Sequence, residues 1–176
     1  EMAFQQQFIT DGSTTTSSTN GTDFGNTLVF SGTSERTFTI YNTGVADLHL
    51  NGIEPIALTG SGAANYFVSA PPQTIIYPGD STTYSISFAP NTTGVSDVTV
   101  VIATDDPNLS FFDFALTGNG QDVEIEVQSN QEVVIESGDI SPSTADNTDF
   151  GSLDINGGVS TYSFLVRNYG EYPLSL

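Results

Sequence analysis

The chain has 176 residues and a mass of 18.6 kDa, with 21 acidic side chains against 2 basic ones and a net charge of -19. Such a charge repels phosphate backbones and anionic bilayers, which excludes nucleic-acid partners, and no apolar run approaches the roughly 18–20 residues of a membrane span. With no Cys, no Lys and a single His, there are no thiolate ligands, no Schiff-base amine and one imidazole for any triad, an inventory that argues against an enzyme.

In chain order, short alternating runs bounded by Gly, Pro, Asn and Asp predict strands. Residues 36–42 place Phe38 and Ile40 on one face and Thr37, Thr39 and Tyr41 on the other. Asn42-Thr43-Gly44 reads as a turn with Gly44 at positive φ. Leu48 and Leu50 flank His49, so the imidazole is expected at the surface. Residues 74–77 form a short strand before the turn Pro78-Gly79-Asp80. Tyr84, Ile86 and Phe88 then share a face, as do Val98, Val100 and Ile102, and later Phe112, Phe114 and Leu116. No stretch keeps helical period for three turns. Roughly seven or eight strands in about 120 residues describe an all-β, immunoglobulin-like β-sandwich without the Cys and Trp hallmarks of antibody domains.

The sequence repeats itself. Thr22-Asp23-Phe24-Gly25 returns as Thr148-Asp149-Phe150-Gly151 at an offset of 126, and that register, held without a gap to Leu50 and Leu176, keeps 11 identities in 29 positions. Two tandem copies are read: residues 1–120, with Gly118-Asn119-Gly120-Gln121 as a linker, and residues 121–176, the opening strands of a second sandwich. Half a sandwich exposes apolar surface that soluble monomers seldom show. The expectation is therefore that the natural chain continues beyond Leu176, or that a neighbouring molecule supplies the missing strands.

Thr22-Asp23-Phe24-Gly25, the strand ending Asn42-Thr43-Gly44, and Ala46-Asp47-Leu48 carry a family resemblance. Ala63-Ala64-Asn65-Tyr66-Phe67, Pro78-Gly79-Asp80-Ser81-Thr82 and Phe114-Ala115-Leu116-Thr117-Gly118 continue it. In this order they resemble the choice-of-anchor D type of domain, a relative of the ASH domains of centrosomal and ciliary proteins. The resemblance implies immunoglobulin-like modules repeated in large secreted or surface proteins, often of Bacteroidota, with no catalytic residues to carry over.

Carboxylates are the remaining chemical resource. Asp105 and Asp106 lie in a turn of the first copy, and Asp139 and Asp146 near the start of the second. Calcium takes roughly six to eight oxygens, so these four are the candidate ligands of an ion at the junction. The alternative is a solvated acidic surface that needs no cofactor. Asp80-Ser81-Thr82 looks like a Bacteroidota O-glycosylation site, with Ser81 as acceptor, or else is a plain polar turn. Arg36 and Arg167 do not align in the repeat. With so few cleavage sites, resistance to trypsin-like proteases is expected.

Together these readings predict a noncatalytic stalk or fibre module of an extracellular bacterial surface adhesin. Its partners would be neighbouring repeats of the same chain or identical subunits. Two alternatives stay open: a self-assembling filament closed by strand complementation, and an accessory module of a secreted hydrolase.

Overall fold

The computed structural model describes residues 8–176, which fall into two units that divide between Gln121 and Asp122. The first holds β1 (Asp23–Leu28), β2 (Ser34–Tyr41), β3 (Leu48–His49), β4 (Ile56–Thr59), β5 (Tyr66–Ala70), β6 (Ile75–Ile76), β7 (Ser81–Phe88), β8 (Gly94–Ala103) and β9 (Phe111–Gln121). They form a four-stranded sheet β1-β9-β8-β4, a three-stranded sheet β2-β7-β5 and the small pair β3-β6. This is an immunoglobulin-like β-sandwich. The second unit holds β10 (Ile125–Ser129), β11 (Val134–Ile135) and β12 (Phe164–Asn168) in one sheet, ordered β11-β10-β12.

Alternation fills the core as the sequence predicts. Because successive strand residues point to opposite faces, β7 sends Tyr84, Ile86 and Phe88 inward, β8 sends Val98, Val100 and Ile102, and β9 sends Phe114 and Leu116. Phe24 and Phe38 join them from β1 and β2. Aromatic rings tie the two sheets together, with Phe24 edge-on to Tyr66 at 5.5 Å and Phe38 tilted against Phe114 at 5.7 Å. The Tyr66 hydroxyl donates to the Ser96 carbonyl at 2.8 Å, and burial pushes its phenol well above the ordinary range, so it stays a donor.

Two expectations are corrected. Residues Gly118 to Gln121 are no linker: they are the end of β9, paired with β8 on one side and with β1 on the other. Their glycines answer close approach rather than flexibility, since a Cβ on Gly118 would sit 2.7 Å from the Phe88 ring. Gly44 does not take positive φ. Its N–H donates to the Asn42 side chain at 2.9 Å, closing an Asx turn.

β1 and β9 run parallel, with Asn26 beside Asn119, Thr27 beside Gly120 and Leu28 beside Gln121. The pairing extends outward: Val29 N–H donates to Gln121 O at 2.9 Å, Ala115 N–H to Ser13 O at 2.8 Å and Gly12 N–H to Asp113 O at 2.8 Å. On β1, the Thr27 hydroxyl is buried without a hydrogen-bond partner among the described residues. An unsatisfied buried hydroxyl is a standing cost, and Val keeps the shape and suits a strand. Thr27→Val is therefore expected to stabilise the first unit by about 1 kcal/mol, read from the urea midpoint.

Candidate functional site

Each of the four acidic candidates is engaged by neighbours within its own unit. Asp105 turns to His49: its Oδ1 accepts the His49 backbone N–H at 2.8 Å, and its Oδ2 lies 2.7 Å from His49 Nδ1. The backbone N–H and then the imidazole hold its carboxyl below the ordinary range. Asp106 closes its own loop by accepting the Asn108 N–H at 2.8 Å, and Asp139 accepts the Ser141 N–H at 2.8 Å. Asp146 is bound within its own turn by Thr148. Among the described residues no three His, Asp or Glu side chains are grouped as a metal ion requires. His49 is at the surface, as the alternation predicts, but its partner lies 56 residues away. No spacing in the sequence could have revealed that pair.

Ser81 is exposed at the first position of β7, opposite Tyr41. It lines a shallow groove of about 260 Å³ with Tyr41, Ile75, Tyr77 and Asp80.

The motif that both units share is built bond for bond. Thr22 Oγ1 accepts the Ser17 N–H at 2.8 Å, and Thr148 Oγ1 accepts the Ser143 N–H at 2.8 Å. Asn20 Oδ1 accepts the Thr22 N–H and hydroxyl at 3.1 and 2.7 Å, and Asp146 Oδ1 accepts the Thr148 N–H and hydroxyl at 2.9 and 2.6 Å. Asp23 and Asp149 each accept a glycine N–H at 2.8 Å, from Gly25 at φ +69° and Gly151 at φ +68°. Asn42 and Asn168 close matching turns on Gly44 and Gly170, at 2.9 and 3.0 Å.

Two positions that differ in sequence also do one job. Arg36 lies over the Phe24 ring at 5.5 Å, and its counterpart Tyr162 packs edge-on to Phe150 at 5.0 Å. A cation and an aromatic both suit a ring face. Likewise Asp146 is the counterpart of Asn20, and this gives it a role in the fold that its charge does not suggest.

That equivalence has a pH signature. Bonds from the Thr148 hydroxyl and N–H hold the Asp146 carboxyl below its ordinary 3.8. A depressed folded value means the contribution is present above the ordinary value and is lost as pH falls through the folded one. Asp146→Asn, which restores the Asn20 arrangement, is expected to leave the turn intact at neutral pH and to abolish its loosening in acid. Hydrogen exchange at the Thr148 amide across the acid range measures both.

Residues 17–119 match the family model of the HYDIN/CFA65/VesB-like Ig-like domain. The chain belongs to this family. No curated protein matches it in sequence. Among solved structures, a protein of unknown function from Porphyromonas gingivalis W83 is 19% identical at a TM-score of 0.45, over 55% of this chain and 42% of its own. The secreted serine protease VesC from Vibrio cholerae is 18% identical at 0.43, over 58% of this chain and 22% of its own. The ASH/PapD-like domain of human CEP192 is 20% identical at 0.40, over 58% and 81%. The chain thus spans less than half of the Porphyromonas protein and about a fifth of VesC. Among the described residues no helix is long and apolar enough to cross a membrane.

Proposed function

We propose that the chain is a noncatalytic mechanical spacer: tandem immunoglobulin-like modules, of the choice-of-anchor D kind, in the stalk of an extracellular bacterial surface protein. The observation that carries the reading is the parallel pairing of the first and last strands of the first unit. When the two ends of that unit are pulled apart, parallel neighbours slide against each other. Their hydrogen bonds are then loaded together, whereas an antiparallel hairpin would be opened one bond at a time. The Asn119 side chain adds a bond to Asn26 at 3.1 Å across the same seam. A module repeated with the same turns, and a surface rich in carboxylates and nearly free of tryptic sites, suit a spacer outside the cell.

Pulling the chain by its ends tests this. Release of the first unit in one force peak is expected, with a length gain of roughly 35 nm at about 3.5 Å per residue. Val29→Pro removes the donor to Gln121 O. It should lower the peak force while costing only about 1 kcal/mol at equilibrium. Extension of the first unit without a force peak would overturn the reading.

A further inference from the structure

The repeat specifies what the second unit accepts. Its turns match those of the first unit, yet its apolar side chains do not reach the same burial. Phe24 and Phe38 are 2% and 7% exposed, whereas their counterparts Phe150 and Phe164 are 46% and 41% exposed. The first unit shows what covers such residues. Phe38 packs against Tyr84 of β7 and Phe114 of β9, and Phe24 against Tyr66 of β5 and Phe88 of β7.

Backbone parity shows that the place of β7 is open. In the first unit the Asn42 N–H donates to Asp80 O, just beyond the β2–β7 ladder, so residues 42, 40 and 38 point their backbone groups toward β7. In the second unit it is the Tyr169 N–H, one residue past the counterpart Asn168, that donates to Glu124 O. Residues 169, 167 and 165 therefore point toward β10, and residues 168, 166 and 164 point the other way. β10 sits on the opposite flank from the one β7 takes, and β12 is the edge of its sheet. A second mark agrees. The Asn42 amide donates both to Ala46 O and to Ile76 O, at 2.7 and 2.8 Å, while the Asn168 amide donates to Tyr172 O, the counterpart of Ala46 O, at 2.9 Å. Among the described residues the Asn168 amide makes no equivalent of the bond to Ile76 O, which lies on the chain leading into β7.

We infer that the free flank of β12 is an acceptor site for an extended polypeptide segment of the chemistry of β7. Its occupant pairs antiparallel with residues 160–167 and places an aromatic–aliphatic–aromatic alternation, as in Tyr84, Ile86 and Phe88, over Phe150 and Phe164. This rests on the repeat and not on the mechanical reading, so either can fail alone.

Two measurements test it. The first extends the full chain by a second copy of residues 51–121 placed directly after Leu176. The amides of Phe164, Val166 and Asn168 are expected to exchange at least about 100-fold more slowly than in the unextended chain, as amides of a folded ladder do. The second adds a synthetic peptide of residues 80–91 to the unextended chain, with protection expected at the same alternate positions. Unchanged exchange at 164, 166 and 168 in both experiments, with the first unit still protected, would overturn the inference. Protection of those amides that rises with the concentration of the unextended chain alone would assign the flank to a second copy and overturn the β7-like occupant.

Discussion

Phe88→Ala is expected to cost the first unit about 3–5 kcal/mol, a large share of the roughly 5–15 kcal/mol that holds a domain folded. The ring is 0% exposed, lies 4.7 Å from Tyr66 and 6.1 Å from Phe24, and has the backbone of Gly118 against its edge. Truncation removes the apolar transfer term and leaves a cavity that two sheets, fixed by their ladders, cannot close. The same contact makes the reverse error costly. A Cβ on Gly118 would meet three Phe88 ring carbons at 2.7 to 2.9 Å, so Gly118→Ala is expected to cost about 1–3 kcal/mol through overpacking. The two effects are coupled, and a double-mutant cycle with Phe88→Leu should show a substitution at 118 that is better tolerated when the ring is gone. Urea titration followed by tyrosine emission, the chain having no Trp, reads all of them.

The second large effect is polar. Asn42 is buried, donates to two carbonyls and accepts the Gly44 N–H. Asn42→Ala strands the buried Ile76 carbonyl away from water and loses the bond to Ala46 O, and about 2–4 kcal/mol is expected. Its counterpart supplies the control. Asn168 makes the equivalent turn in an exposed setting, where water replaces whatever the side chain gives up. Asn168→Ala should cost less than about 1 kcal/mol. Equal costs at the two positions would mean that burial is not what gives Asn42 its weight.

The parts of the fold that were legible are those where period two coincides with burial on one face. β2, β7, β8 and β9 announce themselves through Phe38, Tyr84, Ile86, Val98, Val100, Phe114 and Leu116. β1, β4 and β5 do not. β1 carries a bulge between Asp23 and Asn26 that breaks its alternation, and β4 has only four residues. β5 follows a 3-10 turn and carries a register shift of its own. Gly118 and Gly120 mislead because glycine marks both loose chain and close approach, and only the position of the Phe88 ring decides which. For the candidate site, the repeat was visible as identities, but its chemistry resides equally in the substitutions. Asn20 against Asp146 and Arg36 against Tyr162 look like mismatches until the hydrogen bond and the ring contact are seen to be the same. Asp105 could not be assigned to His49 because the pairing is made by chain neighbours in space, not in sequence.

The turn at Asn20 also bears on how the protein ages. Asn followed by Gly is the sequence most prone to lose its amide nitrogen, because glycine leaves room for the main chain to attack the side chain. Asn20-Gly21 is such a pair. The bonds that this turn needs are accepted by Oδ1, and the aspartate at position 146 already accepts the same ones. The imide formed by that attack opens with water at either carbonyl: the aspartate product would make the first turn a chemical copy of the second, whereas the isoaspartate product adds a methylene to the main chain and would break the turn.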